Sequence, residues 1–254
     1  MVQFCRKNCK EILMIKIGNF FFKYRNLLFI LLYLLLFIPS PQLFSEAIFG
    51  VHYYLWPIII GLLVTVTGQL IRGLTIGLAY IIRGGRDGKV YAEDLVTTGI
   101  FSHCRNPLYL GNILMLLGVG ILANSLIFVL IVMPAFIFIY QTIVLAEEEF
   151  LKNKFGNSFS DYSKRVNRWI PSLQGLSSTF QSMKFKWKRW FIKEYNTQYI
   201  WLTGITLILF FKYPQLTDNS EEKRNYLLII ILPLLMIYYL TIRYLKKSGK
   251  WKDS

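Results

Sequence analysis

The chain has 254 residues, of which 54% are apolar and 17% aromatic, and its formal net charge is +15. Soluble domains do not carry so much apolar and aromatic surface in long runs, so the composition predicts a membrane protein. The basic residues lie between apolar runs, which argues against a nucleic-acid partner and favours a bilayer with anionic lipids. Cys5, Cys9 and Cys104 lack metal-site spacing, so neither a zinc site nor a disulfide framework is expected.

Six apolar segments predict an all-α, polytopic membrane protein with about six transmembrane helices. The segments are residues 26–44, 54–74, 107–123, 126–146, 199–213 and 226–244. Asn124 and Ser125 separate the third segment from the fourth, which predicts a tight helical hairpin, and Pro134 should kink the fourth segment. Arg72 is expected near the inner end of the second segment, where its side chain would snorkel to the membrane surface.

The apolar segments divide the chain into five regions. These are a basic amphipathic N-terminal segment (1–25), two transmembrane helices with a cytosolic loop (26–96), a polar-ended hairpin (97–175), a basic interfacial linker (176–198) and two accessory transmembrane helices (199–254). The RGGRDGK sequence at 83–89 predicts a loop. Whether region 1–25 lies on the bilayer surface or forms a charged tail stays open.

The distribution of basic residues predicts the topology. With six spans, 25 of the 29 Lys and Arg residues fall on one side of the membrane. Cytoplasmic loops carry such an excess, so both termini and the polar ends of the hairpin are predicted to be cytosolic, in a cytoplasmic-type membrane.

Polar and charged residues with possible catalytic or binding roles are most concentrated at the two ends of the hairpin. Asn106 as N-cap and Pro107 at the first helical position predict a helix start with free backbone N–H groups. With Arg105 beside it, this start suits a carboxylate or phosphate, although an ordinary capped helix has the same sequence. At the other end, residues 147–149 are three glutamates at a membrane boundary, which are costly without a partner; a solvated helix face is the alternative.

Beyond the glutamates, Tyr162, Arg165, Arg168 and Trp169 lie just outside the fourth span. A basic and aromatic segment of this kind is most often a lipid anchor. None of the three features is specific when taken alone.

Taken in order, the three features resemble the isoprenylcysteine carboxyl methyltransferase family and the related phospholipid N-methyltransferases. The matching residues are Arg105, Asn106, Pro107, Tyr109 and Gly111, then Glu147, Glu148, Leu151, Phe155 and Gly156, then Tyr162, Arg165, Val166, Arg168 and Pro171. The resemblance covers residues 97–171 well and 68–94 loosely.

That resemblance implies an enzyme that uses S-adenosylmethionine in a cytosol-facing cofactor pocket, with residues 97–175 as the catalytic core. It implies that the cofactor contacts Arg105, Asn106, Pro107, Tyr109, Gly111, Glu147 and Glu148. It implies that the substrate contacts Tyr162, Arg165, Arg168 and Trp169, and that Arg105, Asn106 and Arg168 are catalytic. The usual histidine of the family is Asn106 here, and His103 three residues earlier need not replace it.

The predicted function is methyl transfer to a carboxylate, thiol or amine of a lipid-like or small amphiphilic substrate. Two alternatives stay open: an NADPH-dependent membrane reductase of the sterol-reductase type, and a non-catalytic transporter or scaffold. No metal and no nucleic acid are expected in any of these, and the sequence does not predict the oligomeric state.

Overall fold

The computed structural model describes residues 2–79 and 90–251, and within these ranges it is helical without any strand. The all-α prediction is therefore confirmed, whereas the predicted loop at 83–89 lies outside the described residues. The helices are α1 (Val2–Leu34), α2 (Glu46–Phe49), α3 (Leu55–Leu78), α4 (Pro107–Leu122), α5 (Met133–Phe155), α6 (Asn157–Arg165), α7 (Leu176–Ser182), α8 (Trp187–Lys212) and α9 (Glu221–Lys247).

Helix α1 does not follow the boundaries expected from the apolar pattern. It runs without interruption through residue 25 and ends at Leu34, and a 3-10 turn, Leu35–Phe37, follows it. Ile38 then adopts an extended backbone, with ψ of 132°, because the proline that follows disfavours helical geometry in the preceding residue. The basic N-terminal segment and the first apolar segment are thus one helix.

Helices α3 and α4 form the most extensive helix contact, and glycines allow their backbones to approach closely. A Cβ atom on Gly118 would lie 2.3 Å from the backbone nitrogen of Thr65, and one on Gly111 would lie 2.8 Å from the carbonyl oxygen of Gly68. Side chains larger than hydrogen would separate the helices at both points. Small residues at helix crossings are typical of membrane proteins.

The predicted hairpin between α4 and α5 is present, and its turn is fixed by side-chain hydrogen bonds. Asn124 has a positive φ of 51°, and its side chain accepts from Phe44 N and donates to Phe44 O, both at 2.9 Å. Residues Phe128–Val132 form a π-helical turn that leads into α5. Pro134 follows directly and has no amide hydrogen to donate, so it interrupts the α-helical hydrogen-bond pattern there.

Three helices of the described residues are long and apolar enough to cross a membrane: Leu55–Leu78, Phe128–Phe155 and Glu221–Lys247. Pro107–Leu122 is a shorter apolar helix between the first two. Helix α9 packs mainly on α8 and exposes apolar side chains such as Ile229 and Leu234, as expected of a lipid-facing helix.

Candidate active site

The segment before α4 and the segment after α6 lie side by side. The backbone N–H of Arg105 donates to Asn167 O at 2.9 Å, and that of Ser172 donates to His103 O at 3.0 Å. These two bonds hold the chain after α6 against the start of α4. Residues about sixty positions apart in sequence therefore meet at one end of the hairpin.

His103 contributes to this backbone pairing and does not line the cavity described below. Its ring is buried, with Nδ1 2.8 Å from Ser172 O and Nε2 2.8 Å from Thr179 Oγ1. Both ring nitrogens thus have partners, and the imidazole connects α7 to the loop before α4. It does not take the place of the histidine that the family usually has at position 106.

Glu148, near the end of α5, is the centre of the polar cluster. Arg168 binds its carboxylate with two nitrogens: Nη2 lies 2.6 Å from Oε2, and Nε lies 3.1 Å from both oxygens. Nη1 of Arg105 lies 3.5 Å from Oε1, and Nδ2 of Asn106 donates to Oε1 at 3.4 Å. Two segments of the chain, one before α4 and one after α6, therefore converge on one buried carboxylate of α5, in charge-assisted contacts that are stronger than neutral hydrogen bonds.

Glu147 has a separate partner on the neighbouring helix. The hydroxyl of Tyr109 donates to Glu147 Oε1 at 2.8 Å, which joins the first turn of α4 to the end of α5. Both side chains line the same cavity as Glu148. The two adjacent glutamates thus differ, because Glu148 is paired with arginines and Glu147 with a neutral hydroxyl.

A cavity of about 700 Å³ opens beside these residues, and α1, α3, α4, α5, α6 and the segment 90–96 form its walls. Seven of the predicted site residues line it: Arg105, Asn106, Pro107, Tyr109, Glu147, Glu148 and Tyr162. Its volume lies within the range of roughly 300–1,000 Å³ that is usual for small-molecule sites.

Four predicted site residues do not line the cavity. Gly111 faces α3 at the helix crossing, and Arg165 is exposed on α6. The indole nitrogen of Trp169 donates to Gln141 Oε1 at 2.8 Å, so the ring packs against α5. Arg168 does not line the cavity but contacts two lining residues, through its ion pair with Glu148 and through its carbonyl oxygen, which accepts from Asn106.

The deep end of the cavity contains residues that sequence reasoning did not assign to a site, namely Arg72, Asn112 and Tyr140. The expectation that Arg72 snorkels to the surface is wrong: it is 6% exposed, and it pairs with the buried Glu194 of α8. Phe22, Arg25 and Phe29 of α1 also line the cavity. Their spacing along one helix face would have indicated this, had α1 been recognised as a single helix.

Burial controls the ionisation of two groups next to the cluster, outside the apolar spans. Burial raises the pKa of the Tyr162 hydroxyl well above its usual value, so it stays protonated and donates to Phe101 O at 2.7 Å. Burial also raises the pKa of the Cys104 thiol, whose Sγ lies 3.5 Å from Arg168 O. Cys104 is therefore a neutral thiol at neutral pH rather than a reactive thiolate.

Within the described residues, no group of three His, Cys, Asp or Glu side chains is placed to hold a metal ion. The polar groups that the cavity offers a ligand are arginine, amide, carboxylate and phenol groups. Such groups suit a ligand with both anionic and cationic parts.

Comparison with known proteins shows which families this chain is similar to. Residues 56–158 match the family model "Phospholipid methyltransferase". The nickel-cobalt-cadmium resistance protein NccN of Alcaligenes xylosoxydans xylosoxydans is 30% identical over 120 residues, 46% of this chain and 54% of that protein. The cobalt-zinc-cadmium resistance protein CzcN of Cupriavidus metallidurans is 37% identical over 81 residues, 32% of this chain and 37% of that protein.

Protein-S-isoprenylcysteine O-methyltransferase of Xenopus laevis is 30% identical over 128 residues, 48% of this chain and 43% of that protein. The chain thus matches about half or less of the length of each of these relatives. No solved structure matches significantly. Residues 56–158 are thus similar to the phospholipid methyltransferase family, and the resemblance of this chain to the isoprenylcysteine carboxyl methyltransferases is confirmed.

Proposed function

We propose that this protein is an integral membrane methyltransferase that uses S-adenosylmethionine and acts on a carboxylate, thiol or amine of a lipid-like or small amphiphilic substrate. The observation that carries the proposal is the convergence of Arg105, Asn106 and Arg168 on Glu148, beside a cavity that is lined mostly by residues of the matched segment 56–158. The names of the two resistance proteins describe a phenotype rather than a reaction, so the proposed reaction is taken from the family. The family match favours methyl transfer over the reductase and transporter alternatives.

The residues of the cavity fit this cofactor. S-adenosylmethionine, when bound, supplies a methyl group on a positively charged sulfur atom and also carries a carboxylate and an ammonium group. Nε of Arg105 is buried without a hydrogen-bond partner in the described structure, so it is suited to an anionic ligand group. The carboxylate of Glu147, which accepts one hydrogen bond from Tyr109, is suited to a hydroxyl or an ammonium group.

In such a reaction, the protein mainly orients the ligands and excludes water. Glu148 holds Arg105 and Arg168 in fixed positions, and Phe22, Phe29 and Phe101 provide apolar walls. Correct orientation of two reactants is worth about 7–11 kcal/mol of the activation barrier. A cluster that fixes side-chain positions therefore contributes to the rate without itself reacting.

The side chain at position 106 favours one class of methyl acceptor over another. Asn106 can donate and accept hydrogen bonds, but it does not take up a proton near neutral pH as histidine does. A carboxylate or thiolate acceptor is already anionic and needs little help from a base. Such an acceptor agrees best with the Asn106 side chain, which here donates both to Glu148 and to Arg168 O.

The proposal includes a topology of about six spans with both termini and the cavity on the cytosolic side. The positive-inside distribution of 25 of the 29 basic residues supports it. The three long apolar helices and the shorter α4 account for four of these spans, and α1 and α8 would be the others.

The function is tested with purified protein in lipid nanodiscs. Calorimetry should detect binding of S-adenosylmethionine, and incubation with a labelled methyl donor and extracts of host lipids and small thiols should yield a labelled product that mass analysis identifies. Glu148→Gln and Arg105→Ala should each abolish labelling, because each removes a group that forms the cluster. Glu149→Gln is the matched control for the first, since Glu149 contacts Asn153 on the same helix instead.

Two results would contradict the proposal. One is that the folded wild-type protein does not bind the methyl donor. The other is that Glu148→Gln and Glu149→Gln label the product equally well, which would separate the cluster from the activity.

A further inference from the structure

The accessory helix α8 lies outside the matched family segment, yet it inserts a carboxylate beside the cavity. Glu194 is fully buried and binds Arg72 of α3 through both oxygens, with Nε 2.9 Å from Oε2 and Nη2 2.7 Å from Oε1. The two residues are 122 positions apart in sequence. No described residue of α8 lines the cavity, so this helix reaches the site indirectly, through the lining residue Arg72.

Arg72 itself lines the deep end of the cavity. Its third contact is a hydrogen bond from Nη1 to the side-chain oxygen of Asn112, another lining residue, on α4. Gly111 provides the space for this arrangement, because a Cβ atom there would lie 2.6 Å from Arg72 Cγ. The guanidinium is thus held between α3, α4 and α8.

A guanidinium group has five N–H donors, and the contacts with Glu194 and Asn112 use three of them. Two donors remain on a side chain whose position is fixed by a bidentate partner. A positioned arginine of this kind is well suited to bind a carboxylate or a phosphate.

Joining two membrane helices through a buried ion pair costs desolvation free energy. Each charge loses its hydration, and apolar side chains of similar volume would join the helices as well or better. Ionisable residues inside spanning helices usually face a cavity and act on a ligand. Packing alone therefore does not account for this pair at the edge of a cavity.

We propose that Arg72 binds an anionic group of a ligand at the deep end of the cavity, and that Glu194 of the accessory helix positions it. This inference rests on the proposed function and adds a second anion-binding group to the site, beyond Arg105. The anion is either the carboxylate of the methyl donor or a carboxylate or phosphate of the acceptor. The chemistry is the same in both cases, and the experiment distinguishes the two sources.

The test compares three variants in nanodiscs: Glu194→Gln, the double variant Arg72→Met with Glu194→Leu, and Arg243→Ala as an exposed arginine control on α9. The double variant replaces the pair with apolar side chains and is expected to stay folded. Each protein is titrated with S-adenosylmethionine and its decarboxylated analogue, and then with dodecyl phosphate and dodecanol, which differ only in the anionic group.

If Arg72 binds the donor, both pair variants lose about tenfold or more in affinity for S-adenosylmethionine, and their affinity for the decarboxylated analogue stays unchanged. If it binds the acceptor, the same loss appears for dodecyl phosphate and not for dodecanol. The control retains wild-type affinities in every titration.

The inference is overturned if the folded double variant binds all four probes as the wild type does, since the pair would then be structural only. Failure of the wild type to bind S-adenosylmethionine would contradict the proposed function instead. The two dodecyl probes still test Arg72 in that case, so the two failures are distinguishable.

Discussion

The cavity joins two polar regions that differ in how they are assembled. In the cluster at the ends of the hairpin helices, Glu148 binds Arg168 and Asn106, which are 20 and 42 positions away in sequence. At the deep end, Arg72 and Glu194 are 122 positions apart in sequence. They belong to two helices, α3 and α8, that no polar sequence motif connects. The first region lies at helix ends, where charged groups meet water, whereas the second is enclosed by helices.

This difference has an energetic consequence. The Arg168 side chain is 33% exposed, so water still solvates part of the Glu148 cluster. The side chains of Arg72 and Glu194 are only 7% and 0% exposed, so water solvates neither charge well if the pair is broken. Breaking the deep pair should therefore cost more stability than breaking the Glu148 cluster.

The largest predicted effect follows from Arg72→Met alone. This change leaves the Glu194 carboxylate buried without its guanidinium partner, and we expect a loss of about 3–5 kcal/mol in the free energy of unfolding. Thermal or denaturant unfolding of the purified protein in detergent measures it. Arg243→Met, on the exposed face of α9, should change stability by less than about 0.5 kcal/mol. A loss for Arg72→Met as small as that of the control would show that the pair is not buried.

Glu148→Gln should have a smaller effect on stability and a larger one on function. It removes charge-assisted bonds from Arg168 and Arg105, worth about 1.5–3 kcal/mol, and water can solvate part of the released charge. The free energy of unfolding is measured for Glu148→Gln and for Glu149→Gln, and the difference between the two values is the effect specific to the cluster. If Glu148→Gln destabilises the protein more than Arg72→Met, the comparison between the two regions is wrong.

The members of the Glu148 cluster could be predicted because they lie at helix ends, in an order that resembles a known family. A proline after an asparagine marks where α4 begins, and consecutive glutamates mark where α5 leaves the apolar region. Such signals are local. Together with the family resemblance, they predicted that Asn106, Glu148 and Arg168 share one site, and the three residues are in contact.

The deep pair was not predicted because no local pattern specifies it. Arg72 near the end of an apolar run is also the pattern of an arginine that reaches the membrane surface. Glu194 contacts Arg72 only because α8 packs against α3. The sequence of α8 does not indicate that α3 is its neighbour. The packing of Gly111 against α3 was not predicted either. From the sequence alone, a glycine that belongs to a family motif cannot be told from a glycine at a helix crossing.

Gly111→Ala tests whether that residue acts through packing. A Cβ atom would lie 2.8 Å from the Gly68 carbonyl oxygen, so α3 and α4 must separate, at a cost of about 1–3 kcal/mol in stability. Gly204→Ala is the matched control, because Gly204 lies within α8 with no atom within 4 Å of an added Cβ. That change should be neutral or stabilise the helix by up to about 1 kcal/mol. Unchanged stability with lost donor binding would instead assign Gly111 to the ligand.

Tyr109→Phe should have the smallest effect of the four changes, since it removes a single hydrogen bond to Glu147 and leaves the ring in place. One such bond is worth about 1 kcal/mol, which corresponds to roughly a fivefold change in an equilibrium constant. We expect donor affinity to fall by about that factor, because the Glu147 carboxylate is no longer held toward the cavity. Calorimetry measures it, and Tyr226→Phe, at an exposed tyrosine of α9, is the control. A complete loss of binding would mean that the Tyr109 hydroxyl contacts the ligand directly, and ligand binding at this end of the cavity would then depend on Tyr109 as much as on Glu148.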